Sequence, residues 1–237
     1  MQIPMVELLS NVHSRRCVGI EIINKTNSTT LTSPSSFCYS GYVLSPPPPT
    51  VSPGTTENCI FVKTPMALRG SVGLLVYHFQ ENTLVIMFSN PFDYNFYKTT
   101  FGIWITNETV TADKRQFQDL YQRKMPSASY QYLELKKSDS QSIEVSNDKV
   151  SVSATMSKDN KAILKVEIAD KICKGRLHKE MNNGFSVLSV QAGQKTITKN
   201  ILGKNKYHEK YLSKKDQGCT DDKLALYYKK CELIGSK

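Results

Sequence analysis

In 237 residues the chain has one tryptophan and four histidines. It has no closely spaced cysteine pair and no long apolar run. His13, His78, His178 and His208 fall at no metal-ligand spacing. Without a Cys-x-x-Cys pair, neither a zinc ribbon nor a dithiol redox motif is expected. No apolar stretch approaches the ~20 residues that a membrane-crossing helix needs. The N-terminal MQIPMVELLSNVHSRR lacks the basic start, apolar stretch and small-residue cleavage site of a secretory signal. No nucleophile–base pair or paired carboxylates stand out, so neither an enzyme nor a bound cofactor or metal is expected.

Negative charge is scarce in only one region. Residues 1–168 carry 16 Lys and Arg against 14 Asp and Glu, whereas residues 169–237 carry 15 against 7. The net charge of +10 therefore belongs mostly to the last third. A nearly neutral body argues against nucleic acid as a partner. Six cysteines are present: Cys17, Cys38, Cys59, Cys173, Cys219 and Cys231. With no signal, and with chain enough for a core, a disulfide framework is not required. Cys17 and Cys59 sit in apolar runs and are expected as small core residues.

What is present is β-prone. Residues 17–23, 37–44, 58–63, 71–79, 83–89, 101–106, 130–135, 149–155 and 162–168 all read as strands. Gln80–Glu81–Asn82 joins two strongly apolar ones as a tight hairpin. The proline-rich segment from Pro46 to Gly54 is expected on the surface, since proline donates no ladder hydrogen bond. One clear helix is expected over about 113–125, capped by Thr111 or Asp113 and ended by Pro126. It places Phe117, Leu120 and Tyr121 on one face. A second helix is expected near the N-terminus, with Ile3, Val6, Leu8, Leu9 and Val12 as a loose apolar face. The fold class is mainly β, a compact β-sandwich flanked by two helices with a C-terminal extension.

The densest signal is NTLVIMFSNPFDYNFY, Asn82 to Tyr97. Its apolar strand breaks at Ser89, Asn90 and Pro91 into a segment holding Phe92, Tyr94, Phe96 and Tyr97 beside Asp93. Exposed rings with polar tips suit a membrane interface or a cation cage. Packing of one or two of these rings onto the sandwich is the bland alternative. Without other information, Phe117, Leu120 and Tyr121 read as core.

Several motifs occur in order: an amphipathic helix ending in Asn-Val-x-x-Arg-Arg, a VGI strand, FxxSG, P-x-x-V-x-P-G, GSVG, NTLxxxFSxPxDYNxY, and a last KAILKVEI strand. Together they resemble the actinoporins, pore-forming cytolysins, and their vertebrate actinoporin-like relatives, over about residues 6–168. The resemblance implies a phosphocholine site built from Ser40, Val72, Ser89, Pro91, Tyr97, Phe117 and Tyr121. Phe117 replaces a usual tyrosine, and Gln122 replaces another. It implies membrane contact through Phe92, Tyr94, Phe96 and Phe101. Phe96, Thr100 and Phe101 stand where the family has tryptophans, while Trp104 is expected in the core. The implied partners are choline phospholipid membranes, such as sphingomyelin or phosphatidylcholine, and further copies of the chain on the membrane. In solution the chain is expected to be a soluble monomer, reaching the target-cell membrane by a non-standard release.

The expected division is a short amphipathic helix at 1–14, a membrane-binding sandwich at 15–169 and a basic extension at 170–237. Only 14 residues precede Arg15, roughly 21 Å as a helix against a ~30 Å hydrocarbon layer. Binding is therefore expected to outrun perforation, and a lectin-like or lipid-binding module without pore formation is the alternative. Within the extension, a hairpin over 185–202, a basic stretch over 204–215 and a helix over 221–232 are expected.

Overall fold

The computed structural model describes residues 3–122, 127–135 and 141–171, and the strands alone over 176–182, 185–192 and 195–201. The chain divides into two units, Met1–Lys171 and Ile172–Lys237. The first opens with α1 (Met5–Ser10), β1 (Cys17–Asn24), β2 (Leu31–Ser40), β3 (Tyr42–Ser45), β4 (Thr50–Val51) and β5 (Thr56–Val62). It continues with β6 (Ser71–Phe79), β7 (Asn82–Asn90), β8 (Thr100–Thr106), α2 (Lys114–Gln122), β9 (Tyr130–Glu134), β10 (Ser142–Ser146), β11 (Val150–Met156) and β12 (Lys161–Asp170).

Two six-stranded sheets result, ordered β10-β11-β12-β1-β5-β3 and β4-β2-β6-β7-β8-β9. Among the described strands only β1 and β12 pair parallel; the other pairings are antiparallel. The expected single strand over 37–44 is two strands, because Gly41 turns the chain from one sheet into the other at φ 99°. A Cβ there would meet Val62 O at 2.2 Å, so the corner admits only glycine. The Gln80–Glu81 hairpin forms as read, with Phe79 facing Asn82 and Gln80 at φ 50°. The proline-rich segment contributes only the two-residue edge strand β4. Polar β10 escaped the sequence reading, although its alternating Ile143 and Val145 are buried.

Burial explains the two long apolar runs. In β6 and β7, Leu75, Tyr77, Leu84, Ile86 and Phe88 enter the core between the sheets. Leu74, Val76, Val85 and Met87 point the other way and are covered by Phe117 and Leu120 of α2. Both faces of these strands are buried, so the usual alternation disappears. Trp104 is a correction: it lies half-buried in this outer layer and not in the central core. Asp113 caps α2 as expected, its Oδ1 accepting from the Gln116 amide at 2.7 Å.

The first helix is shorter than read and turned differently. Pro4 stays extended (ψ 144°), so α1 begins at Met5. Met5, Leu9 and Val12 pack on Cys17, Ile60 and Val62, while Ile3 and Val6 are exposed. Lys161 Nζ donates to the carbonyls of Leu9 (2.8 Å) and Ser10 (3.1 Å), satisfying the helix end. Cys17 and Cys59 are free, buried thiols, as expected. Burial pushes the Cys17 thiol up to about 11, against the lowering pull of Lys161.

The second unit contains an antiparallel sheet of β13 (Arg176–Asn182), β14 (Phe185–Ala192) and β15 (Lys195–Ile201), in that order. The expected hairpin is there, with β13 added to it. The basic stretch over 204–215 and the helix over 221–232 lie outside the described residues.

Candidate functional site

Three neighbouring strands bring the small and polar residues of the site into one row. The ladder register sets Ser40 opposite Val72 and Val72 opposite Ser89. Pro91 follows at the end of β7. Gly70 approaches it so closely that a Cβ would sit 2.7 Å from Pro91 Cα and 2.0 Å from Asn90 O.

Over that row stands a cavity of about 500 Å³. All seven expected headgroup residues line it: Ser40, Val72, Ser89, Pro91, Tyr97, Phe117 and Tyr121. They come from three strands, one loop and one helix. One wall is a ladder of rings. Tyr39 stacks on Phe117 at 4.8 Å and 20°, and Phe117 stacks on Tyr121 at 5.5 Å and 23°. Phe117 is therefore clasped between its neighbours, and Tyr39 is the ring that sequence reading missed. Tyr97, 61% exposed, also lines the cavity. Arg69 and Asp93 add one charge of each sign to the lining. Ser40 Oγ donates to Gly70 O at 2.9 Å. Tyrosine faces attract a cation, while an arginine fork and hydroxyls suit a phosphate.

The loop between β7 and β8 sorts the expected membrane-contact residues. The Asp93 carboxylate accepts from the Asn95 amide (2.8 Å), and Asp93 O accepts from the Tyr97 amide (3.2 Å). This turn throws Phe96 outward, 80% exposed. Phe92 is half-buried at the cavity wall. Tyr94 and Phe101 require correction. Phe101 is 0% exposed, on the inward face of β8 between the sheets. Tyr94 turns inward, its hydroxyl donating to Asn90 Oδ1 (2.9 Å) and Asp159 O (3.1 Å). Burial, ahead of the opposing pull of Arg16, raises the affinity of that phenol for its proton. Sequence reading also missed Met66 and Leu68, 99% and 80% exposed, in the loop before Gly70. Their only signal was a pair of apolar residues beside a proline.

Arg16 anchors the loop from below. Its Nε donates to Pro91 O (2.9 Å), one terminal nitrogen to Phe92 O (2.8 Å) and the other to Arg15 O (3.0 Å) and Asn160 Oδ1 (2.5 Å). The guanidinium lies 4.5 Å from the Tyr94 ring centroid. Asn90 completes the network by donating to the carbonyls of Cys17, Asp159 and Asn160. Among the described residues no His/Cys/Asp/Glu group has metal-holding geometry, and no helix is long and apolar enough to cross a membrane.

A model of the sea anemone cytotoxic protein family matches residues 5–169. The chain belongs to this family, the actinoporins. The match covers both helices, every residue of the cavity and all of the sandwich but the last residue of β12. DELTA-alicitoxin-Pse1b of Phyllodiscus semoni is 42% identical over 65 residues, 27% of this chain and 28% of that one. DELTA-actitoxin-Aeq1a of Actinia equina is 30% identical over 125 residues, 52% of this chain and 56% of that one. Aligned segments thus span between about a quarter and a half of these relatives. The solved lipid binding protein Nakanori shares the fold at TM-score 0.55 and 15% identity, covering 69% of this chain and 76% of that one. Within this actinoporin, Gln122 lines the cavity beside Gln118, a stretch of amide where the resemblance leads one to expect a ring.

Proposed function

We propose that this actinoporin binds membranes through the headgroup of a choline phospholipid, assembles there into homo-oligomers and releases α1 toward the bilayer to open a cation-permeable pore. The observation that carries this reading is the meeting of Tyr97 and Tyr121 in one cavity with Ser40, Val72, Ser89 and Pro91. In this reading the free faces of Tyr97 and Tyr39 hold the quaternary ammonium, which has no N–H to donate. Phe117 supports the ring ladder and Arg69 takes the phosphate. Phe96, Leu68 and Met66 enter the interface beside the headgroup, where their buried area contributes about 25 cal/mol per Å². No step of this activity calls for catalysis.

The test is flotation with phosphatidylcholine or sphingomyelin vesicles. Tyr97→Ala is expected to weaken binding about 2- to 30-fold, the equivalent of one cation–π face at ~0.5–2 kcal/mol. Unchanged binding removes Tyr97 from the site. Binding without perforation is the second reading, favoured by the six residues of α1, ~9 Å of helix. Dye release at low protein-to-lipid ratio separates the two, and vesicles that float with bound protein yet keep their dye favour the second.

A further inference from the structure

A second cavity, of about 430 Å³, lies between the segment that follows α1 and the start of β12. Its lining is Ser14, Arg15, Arg16, Phe92, Asn160 and Lys161. Three of these six residues are cations and none is a carboxylate. A cluster of that kind repels itself unless something negative sits among it. None of the three makes an ion pair with a carboxylate among the described residues.

Arg16 has five N–H groups and places four, on Pro91 O, Phe92 O, Arg15 O and Asn160 Oδ1. Lys161 has three and places two, on Leu9 O and Ser10 O. The Arg15 guanidinium is exposed and has no hydrogen-bond or ion-pair partner among the described residues. A full arginine fork, one further guanidinium N–H and one ammonium N–H are thus left over around a single hollow. Lys63 adds positive potential behind it, its Nζ 5.5 Å from the Phe92 ring centroid.

We propose that this hollow is a second ligand site, for a phosphate group, held by the Arg15 fork with the spare donors of Arg16 and Lys161. Bidentate arginine recognition of tetrahedral oxyanions fits the donors available. The site is separate from the headgroup cavity and shares only Phe92 with it. An occupant draws on the same Lys161 and Arg16 groups that hold the α1 carbonyls and the Pro91–Phe92 carbonyls. The phosphate can belong to an anionic phospholipid or be free in solution.

The full chain is tested in two arms. In the first, binding to phosphatidylcholine vesicles is compared with and without phosphatidic acid. The expected result is a gain of roughly fivefold or more, about one membrane-surface cation's worth. Arg15→Gln removes that gain and leaves binding to pure phosphatidylcholine unchanged; Lys161→Gln gives a smaller loss of the same kind. In the second arm, inorganic phosphate is titrated against the amide resonances of residues 14–16 and 160–161. Saturable shifts that Arg15→Gln abolishes, with no vesicle gain, assign the site to soluble phosphate. Phosphate shifts survive as a readout even if phosphatidylcholine binding proves absent, so failure of the membrane reading stays distinguishable. The proposal is overturned if phosphate causes no Arg15-dependent shift and the phosphatidic acid gain is equally large in Arg15→Gln. That pattern assigns the gain to other positive charge, such as residues 204–215.

Discussion

The two helices of the sandwich cover opposite faces by different means. α2 is capped by Asp113, seals an apolar layer with Phe117 and Leu120, and is tied at its far end by Tyr130 Oη donating to Leu120 O at 2.7 Å. α1 has no side-chain cap at its start, leaves Val6 in water, and rests on two buried side chains, Met5 and Leu9, and one lysine. The difference is one of detachability. Removing α2 exposes the outer face of two central strands and dismantles the ring-lined cavity. Removing α1 uncovers a smaller patch and leaves the sandwich closed. The proposed release of α1, with the ring-lined cavity left standing, would draw on this asymmetry.

The contrast is broken most directly by truncating one buried side chain on each helix. Phe117→Ala is expected to cost about 3–5 kcal/mol in urea unfolding, because the ring is enclosed by two others and by the sheet. Leu9→Ala is expected to cost less globally and to raise hydrogen exchange over residues 5–12 alone. Equal global losses would mean that α1 is as integral as α2.

A smaller effect is expected at the helix ends. Asp113→Ala removes the α2 cap at about 0.5–2 kcal/mol. Lys161→Met strips the α1 carbonyls of their donor and should speed exchange near Ser10 without moving the melting temperature by more than a degree or two. If α2 instead exchanges faster than α1 in these two variants, the assignment of fixed and releasable helix is reversed.

The smallest expected effect concerns acid. Hydrogen bonding from Lys25 holds Glu167 below the usual carboxylate range against the opposing effect of burial, with Lys165 adding to the lowering. A depressed folded pKa stabilises above the ordinary glutamate value and is lost as pH falls through the folded one. Lys25→Ala should therefore reduce stability slightly at neutral pH and flatten its decline on acidification, measured by urea midpoints from neutral to acid pH. A decline as steep as in the parent chain removes this pair from the acid response.

Local chemistry carried much of the fold. The Asp113 cap, the Gln80–Glu81 hairpin and the apolar runs of β6 and β7 are properties of short stretches, and they were legible for that reason. The N-terminal helix was misread because its apolar residues ring the helix loosely; docking selected Met5, Leu9 and Val12 as the inward set. Strand β10 was missed because its two apolar residues stand alone until β11 pairs with them. Phe101 was misread because its place in a motif says nothing of which face of a strand it takes.

The sequence by itself determined the sandwich class and the aromatic break after Ser89, since each is written in patterns a few residues long; the seven expected cavity residues came from the resemblance of longer motifs. Only the tertiary structure decided that Phe117 is clasped between Tyr39 and Tyr121. It alone separated Phe96, which stands in solvent, from Tyr94 and Phe101, which turn inward. It also brought the adjacent Arg15 and Arg16 together with Lys161, far along the chain, around one hollow. Contacts between distant strands set facing, burial and charge clustering, and no local pattern encodes them.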